Sequence, residues 1–256
     1  MASVDNLNAS GVDKVLTLLE VISDHSEGIS LAELVKQTGI AKTTVFRTLE
    51  TLKERQYVML DNITERYHLD LKSLELGIKG LMNVNLVEVS IPYLKQLSAK
   101  TSETCFLGVY NSGYVVYLYK SEGTLSIQTN ARLGARLPAW CTGIGKSLLA
   151  FQPQEEIDQV LKQPLTPFTE NTIVDRVVLY ETLADIRLKG YSLDNEESEE
   201  GLTCVARPVF NYTGSIIGAI SVAGPTYRML RKIDEVNEEL GQVCSLISRR
   251  LGHVIR

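Results

Sequence analysis

The sequence predicts an α+β protein in which a small helical domain with a β-hairpin precedes a larger domain of strands and helices. Three observations support this fold class. The chain has 256 residues, which is long for one domain and sufficient for two. Apolar residues recur at three- and four-residue spacing from Val12 to about Asp24 and again within Ser30–Gln56, as in amphipathic helices. From about Thr104 onwards, β-rich runs alternate with helical patterns.

The composition is that of an ordinary soluble protein, with 44% hydrophobic and 22% charged residues. No apolar run reaches the roughly 18 residues needed to span a bilayer, and the polar start of the chain has no signal-peptide pattern. We therefore expect a cytoplasmic protein without a membrane partner. None of the cysteines has metal-ligand spacing, so we expect no metal or other cofactor, and reduced, buried thiols at Cys105, Cys141, Cys204 and Cys244.

The first domain is organised around Ser30–Gln56, which has the pattern of a helix, a short turn and a second helix. Ser30 and Glu33 have the spacing of a capping box, and Gly39 can end the first helix in the left-handed conformation. The inner face of the second helix carries Val45, Thr48, Leu49 and Leu52, and its outer face carries Thr43, Arg47, Glu50 and Glu54. This is the pattern of a helix-turn-helix, although a simple packing hairpin of two helices would look similar.

Residues at the start of such a second helix reach base edges when the helix lies in a major groove of DNA. We expect base and phosphate contacts from Lys42, Thr43, Thr44 and Arg47. The formal net charge of −5 does not by itself indicate a nucleic-acid partner. The second helix nevertheless has a modest basic excess, so binding should depend on geometry and a few phosphate contacts.

The flanks of the motif complete a winged domain over residues 12–70, preceded by a flexible arm at residues 1–11. An amphipathic pattern from Val12 to about Asp24 predicts a further helix. Two short β-like runs, Tyr57–Leu60 and Arg66–Leu69, predict a hairpin that would form the wing. Arg66 can reach a phosphate from the wing, whereas His68 is better explained as a surface or packing residue.

Residues 71–100 have a helical pattern and connect the two domains. Leu74, Ile78 and Leu81 supply its first apolar positions, and glycines interrupt it. Pro92 should kink the run or begin a new helix. The exposed apolar positions would suit dimerisation, or they would pack on either domain.

The second domain, residues 101–256, begins with a hairpin that turns at Asn111-Ser112-Gly113. We expect a third strand at Leu125–Ala131, a loop over RLGARLPAW and a helix that begins at TGIGKSLLAF. Two helices and then further strands follow, and a last helix closes the domain. Their predicted positions are Gln154–Lys162, Asp175–Lys189, YSLD, TCVARPVF, GSIIGAISVAG and about Leu230–Leu251.

The glycine-containing turn Gly143–Ser147 could bind an anion. It is not a nucleotide-binding P-loop, because Trp140 stands where the motif requires glycine. A helix start with free backbone N–H groups suits a carboxylate, and the preceding Arg136 and Trp140 favour such a site. The alternative is a glycine-rich helix start that only packs.

The sequence contains little that favours catalysis. Cys141 or Cys204 could be a nucleophile, but the few histidines lie far from both in the chain. The acidic run around Asp194 is typical of a solvated loop with one inward-facing acid. We therefore expect no catalytic residues, and we keep as the alternative an enzyme that acts on a small keto acid.

Five stretches resemble the bacterial transcriptional regulators of the IclR type: IAKTTVFRTLETLKERQYV, YHLDLKSLELG, RLPAWCTGIGKSLLA, GYSLDNEESEEGLTCVARPVF and GAISVAGP. The resemblance runs from about Val12 to Leu251. It implies a winged helix-turn-helix domain and a GAF-like effector-binding domain, in homodimers or homotetramers on double-stranded palindromic operators.

The resemblance also implies a pocket for a small organic acid, lined by Leu137, Gly143, Ile144, Asp194, Cys204 and Ser221. Ala223 stands where some members carry a second serine, so one polar contact is in question. The acidic loop and LELGIKGLMNVNL are similar to the subgroup that controls pectin and hexuronate breakdown and responds to 2-keto-3-deoxygluconate. The function expected from this resemblance is a ligand-responsive repressor of a carbohydrate-acid operon.

Overall fold

The computed structural model describes residues 10–73, 75–76, 85–127, 129, 131–134 and 136–254. The chain divides into two compact units, Met1–Asn83 and Val84–Arg256. Within the described ranges, no helix is both long and apolar enough to cross a membrane.

The first unit is a winged helix-turn-helix, as predicted. Its elements are α1 (Gly11–Ser23), β1 (Ile29–Ser30), α2 (Leu31–Thr38), α3 (Lys42–Glu54), β2 (Val58–Asp61) and β3 (Arg66–Leu69). The three helices enclose a core of fully buried side chains, among them Leu18, Leu34, Val45, Leu49 and Val58. The inner face predicted for the second helix is thereby confirmed.

Local capping sets the bounds of these helices. The predicted capping box is present, because Ser30 Oγ accepts from Glu33 N while the Glu33 carboxylate accepts from Ser30 N. Gly39 ends α2 with φ of 67°, as expected for a left-handed C-cap. The predicted hairpin of β2 and β3 forms, and β1, which the sequence pattern did not indicate, adds a third strand with the order β1-β3-β2.

The second unit is an antiparallel sheet with helices on both faces. Its described elements are α4 (Leu86–Thr101), β4 (Thr104–Asn111), β5 (Tyr114–Ser121), β6 (Arg136–Pro138), α5 (Gly143–Leu149), α6 (Gln154–Lys162), α7 (Arg176–Lys189), β7 (Ser192–Asn195), β8 (Leu202–Phe210), β9 (Ile216–Pro225), α8 (Thr226–Met229) and α9 (Ile233–Arg250). Within the described residues the strand order is β6-β5-β4-β9-β8-β7.

Alternation along the strands separates the two faces of this sheet. Cys105, Leu107 and Val205 pack with residues of α4 and α9 in one apolar cluster. Phe106 and Cys204, their neighbours in sequence, pack with residues of α5 in another cluster. The α5 face is the one that carries the candidate effector cavity.

The segment before α5 differs from the prediction. The described residues of Leu125–Ala131 form no strand, and Leu125 and Ile127 are exposed. The outer edge of β5 instead pairs with β6, within the stretch that was expected to be a loop. Gly134 N also donates to Tyr117 O, so the edge is already occupied where an additional strand would pair.

The predicted linker is divided in the structure. Leu74, Ile78, Leu81 and the glycines of that run lie outside the described residues. Leu86–Thr101 is a helix of the second unit, with Asn85 as its N-cap and with Leu94 and Leu97 in the core. The helix begins at Leu86 and Pro92 lies inside it, so the expectation that Pro92 could begin a helix is wrong.

Candidate effector cavity and DNA-binding helix

The exposed start of α3 carries the residues expected to contact DNA. Lys42, Thr43 and Arg47 are exposed and Thr44 is partly exposed. Among the described residues, none of these four side chains has a hydrogen bond or an ion pair, so all are available to an external partner. Further along the helix, Lys53 pairs with Glu50 at 2.6 Å, which reduces the basic excess there.

The side chain of Arg66 is bound within its own domain. Its Nη1 donates to Gly28 O at 2.7 Å and its Nη2 to Glu33 Oε1 at 3.4 Å, which joins β3 to the turn before β1 and to α2. His68 packs against Gly28, since a Cβ built there would lie 2.4 Å from His68 Nε2. The wing is therefore positioned by contacts that use part of the guanidinium of Arg66.

A groove of about 510 Å³ separates α1 from α3 in the first unit. Val15, Leu19 and Leu52 form its apolar walls, and Arg47 and Arg55 lie along one side. The outer surface of α1 also has exposed apolar side chains, with Val12 at 68% and Leu16 at 51%. An apolar groove next to exposed apolar side chains is typical of a surface that binds a protein partner.

In the second unit, a cavity of about 350 Å³ lies between the sheet and the start of α5. All six residues that the resemblance implied line it. The described lining residues are Phe106, Tyr117, Thr129, Ala131, Leu137, Thr142, Gly143, Ile144, Asp194, Ser198, Glu199, Leu202, Cys204, Ser221 and Ala223. The walls are mostly apolar, with carboxylates, hydroxyls and the first turn of a helix at a few points.

Gly145 allows the tight turn that starts α5 beside the cavity. A Cβ at this position would lie 2.4 Å from Ala139 O and 2.5 Å from Thr142 Oγ1, which is too close for any side chain. Thr142 caps the helix by accepting from Gly145 N at 3.0 Å. The N–H groups of Gly143 and Ile144, in the first turn, have no helical acceptor by position and can donate to a ligand.

Asp194 supplies a buried carboxylate at the cavity. Its Oδ1 accepts from Glu197 N at 2.8 Å, and its Oδ2 accepts from Ser198 Oγ at 2.6 Å. Burial raises the pKa of Asp194, while the hydrogen bonds from Ser198 and the charge of Lys146 oppose the rise. This carboxyl group is held in position and retains acceptor capacity for a ligand hydroxyl.

Behind Asp194 lies an ion pair between Lys146 Nζ and Glu197 Oε1, with side-chain exposures of 1% and 8%. The expectation of one inward acid in the acidic run is therefore wrong, because both Asp194 and Glu197 are buried. Burial raises the pKa of Glu197 and the charge of Lys146 pulls it down. The sequence pattern did not predict that Lys146 and Glu197 would pair; a lysine in an otherwise apolar helix turn was the available signal.

Arg136 does not line this cavity, although its position before Gly143 was expected to favour an anion site there. Its guanidinium lies over the ring of Tyr114, 4.1 Å from the centroid, on the exposed edge strand β6. Trp140 is buried in the neighbouring apolar cluster with residues of α6 and α7. A carboxylate at this site would therefore rely on backbone and hydroxyl donors and not on Arg136.

The chemistry at the cavity does not suit a cysteine nucleophile. All four cysteines are free and buried, as predicted. Burial raises the pKa of Cys141 to about 12 and that of Cys204 well above its ordinary value, so the thiolates are disfavoured. Within the described part of the chain, no three His, Cys, Asp or Glu side chains come together as a metal site requires.

Comparison with known proteins identifies both units as domains of bacterial transcriptional regulators. The family description "IclR helix-turn-helix domain" matches residues 11–61, and "Bacterial transcriptional regulator IclR C-terminal" matches residues 78–249. The HTH-type transcriptional regulator KdgR of Escherichia coli (strain K12) is 35% identical over 248 residues, which covers 96% of this chain and 94% of that protein. KdgR of Dickeya chrysanthemi is 38% identical over 222 residues, covering 86% and 72% of the two chains.

A solved structure agrees with the fold. The crystal structure of an IclR transcriptional regulator from Silicibacter sp. TM1040 superposes with a TM-score of 0.86 at 25% identity, covering 96% of this chain and 98% of that one. These relatives are transcriptional regulators, so the chain is a DNA-binding regulator with an effector-binding domain and not an enzyme. The match of both family descriptions across most of the length shows that the chain belongs to the IclR family of bacterial transcriptional regulators.

Proposed function

We propose that the protein is a cytoplasmic, ligand-responsive repressor of a carbohydrate-acid catabolic operon, and that its effector is 2-keto-3-deoxygluconate or a similar keto or sugar acid. The observation that carries this proposal is the cavity beside α5, where hydrogen-bond donors and carboxylate acceptors meet between apolar walls. The similarity of the acidic loop to the pectin and hexuronate regulators supports the choice of ligand class.

The polar groups of the cavity match the two ends of a hydroxylated keto acid. The carboxylate of the acid would accept from the N–H groups of Gly143 and Ile144 and from the hydroxyl of Ser221. Its hydroxyl groups would donate to Asp194, whose position is set by Ser198. Leu137 and Cys204 would lie against the carbon chain, and the alanine at position 223 removes the additional hydroxyl that some members have.

Operator binding would use the start of α3. Lys42, Thr43, Thr44 and Arg47 would make base and phosphate contacts in a major groove, because their side chains are available. Arg66 would contribute to a phosphate contact only through the part of its guanidinium that Gly28 and Glu33 leave free. Effector binding would change operator affinity by a coupling free energy of typically ~1–3 kcal/mol.

Two or four copies of the chain would act together on a palindromic operator. The exposed apolar surface of α1 around Val12 and Leu16 is suited to contact between copies. Light scattering on the purified chain, with and without operator DNA, tests this. One chain per particle in the absence of DNA, and one chain per operator in its presence, would reject the oligomer.

The effector is tested by titrating candidate keto and sugar acids into the full chain. Trp140 is the one tryptophan of the sequence and lies in the second unit, so its fluorescence during urea unfolding follows that unit. Specific binding should raise the urea midpoint, and the gain in unfolding free energy should grow with the logarithm of the ligand concentration relative to its dissociation constant. Asp194→Asn should weaken the effect, whereas Asp185→Asn, an exposed control on α7, should not. Equal stabilisation of both variants would reject Asp194 as a contact.

Operator selection is tested by gel shift with genomic fragments. Arg47→Ala should lose roughly 1–3 kcal/mol of discrimination between operator and unrelated DNA while the fold is unchanged, because its exposed side chain makes no hydrogen bond or ion pair within the described residues. Arg55→Ala, at the far end of the same helix, removes the same charge and is the matched control. Unchanged operator affinity in Arg47→Ala would reject the proposed role of this residue.

A further inference from the structure

The second unit has another cavity of about 350 Å³, beside α9 and the end of α7. Among the described residues it shares no lining residue with the effector cavity. Arg187, Arg207, Phe210, Gly241, Ser245 and His253 contribute to its walls. The proposed effector mechanism makes no use of this cavity.

Arg207 is held in one orientation at this cavity. Its Nε donates to Asn237 Oδ1 at 2.8 Å, and its Cζ lies 5.5 Å from the centroid of the Tyr191 ring. The guanidinium also lies against Gly241, because a Cβ built there would be 3.1 Å from Cζ. An alanine in the middle of a helix is about 1 kcal/mol more favourable than a glycine, so this glycine makes room for the arginine at a cost in helix stability.

The held guanidinium still has donors to offer. Within the described residues, Nη1 and Nη2 of Arg207 donate to no protein acceptor. A guanidinium with two parallel N–H donors is suited to bidentate binding of a carboxylate or a phosphate. Because Arg207 is already held in one orientation, ligand binding would cost little of the conformational entropy of this side chain.

The rest of the cavity has the same preference for an anion. Arg187 also lines it and is anchored by donating from Nε to Ala150 O and from Nη2 to Gln152 O, which among the described residues leaves its Nη1 for a ligand. No carboxylate side chain lines the cavity within the described part of the chain. Phe210 stacks on His253 with ring centroids 5.3 Å apart and forms an apolar wall. Positive charge and an aromatic wall are therefore combined in one concave site.

We propose that this cavity is a second small-molecule site, for an organic anion whose carboxylate or phosphate accepts from Arg207 and Arg187 and whose ring lies against Phe210. The volume is at the lower end of small-molecule sites, which suits a ligand with one ring. The site is separate from the effector cavity, so this proposal does not depend on the identity of the proposed effector.

The test is isothermal titration of the full chain with benzoate and with phenyl phosphate, with inorganic phosphate and benzyl alcohol as partial probes. We expect saturable binding of one aromatic anion per chain and none of benzyl alcohol. The relative affinities for benzoate and phenyl phosphate identify which anionic group the site prefers. Arg207→Gln should weaken binding about tenfold or more, whereas Arg231→Gln, an exposed control with the same charge change, should not.

Gly241→Ala provides a second variant that keeps the arginine and favours the helix. Its methyl group would displace the guanidinium, so we expect weaker binding with the fold intact. If Arg207→Gln fails to fold by Trp140 fluorescence, Gly241→Ala decides the question. The proposal is overturned if neither aromatic anion saturates the wild-type chain below about 10 mM. It is likewise overturned if folded Arg207→Gln, or Gly241→Ala where Arg207→Gln does not fold, binds as the wild type does. It is also overturned if Asp194→Asn abolishes the binding, because the probe would then occupy the effector cavity.

Discussion

Each charge of the buried pair formed by Lys146 and Glu197 should depend on the other, because removing one partner leaves an uncompensated charge inside the second unit. Replacing Lys146 with methionine keeps a long unbranched chain in a position that is 1% exposed. It leaves the Glu197 carboxylate buried without its counter-ion. Breaking such a pair from one side costs about 3–5 kcal/mol, because the remaining charge keeps its desolvation penalty.

The loss can be measured in the full chain by urea unfolding, followed by the fluorescence of Trp140. For a unit of this size it corresponds to a fall in melting temperature of roughly 6–20 °C. Lys146→Met/Glu197→Gln is the matched control, since it removes both charges and should recover most of the lost stability. The deficit of the single variant should also shrink as pH falls towards the ordinary pKa of a glutamate, because protonation removes the unpaired charge.

The same pair should matter for ligand binding. Glu197 N donates to Asp194 Oδ1, so displacement of Glu197 would move the carboxylate that lines the effector cavity. Effector affinity should therefore fall in the single variant and recover in part in the double variant. A loss of stability below about 1 kcal/mol in Lys146→Met, or a double variant no more stable than the single one, would refute this account of the pair.

Two further predictions concern the cavity. Because the pKa of Asp194 is raised in the folded state, its contribution to stability is largest below the unfolded pKa near 3.8 and is lost as pH rises through the raised value. Asp194→Asn should therefore lose less stability than the wild type as pH rises from about 4, measured by urea midpoints, and parallel curves would contradict this. Arg228 donates to the buried Glu103 at 2.8 and 2.9 Å and to Ile127 O at 2.8 Å, in the segment that leads to Thr129 of the cavity. Arg228→Gln should cost about 1–3 kcal/mol and weaken effector binding in calorimetry; wild-type affinity in this variant would show that the contact does not position the segment.

Interactions within a few residues could be predicted from the sequence, and the structure has them where they were expected. The Ser30–Glu33 capping box, the left-handed Gly39 and the bounds of α6 depend on neighbours along the chain. The same holds for the hairpin turn at Ser112-Gly113, where both residues have positive φ. The six implied cavity residues were identified through the family resemblance, not through local patterns.

Contacts between distant parts of the chain decided the rest. Leu125–Ala131 has a strand-like composition, yet β6 and Gly134 already occupy the edge where it would pair. Arg136 precedes α5 in sequence, but its cation lies over Tyr114 and away from the cavity. Lys146 and Glu197 are 51 residues apart, and nothing in their local sequence indicates that they meet.

The sequence by itself determined the helices, the turns and the class of domain, since backbone hydrogen bonds and apolar periodicity are satisfied locally. Only the tertiary structure decided which polar groups lose their water. Desolvation depends on every element packed around a group, and it is what makes a lysine in α5 and an acid in a loop into a buried pair beside the effector cavity.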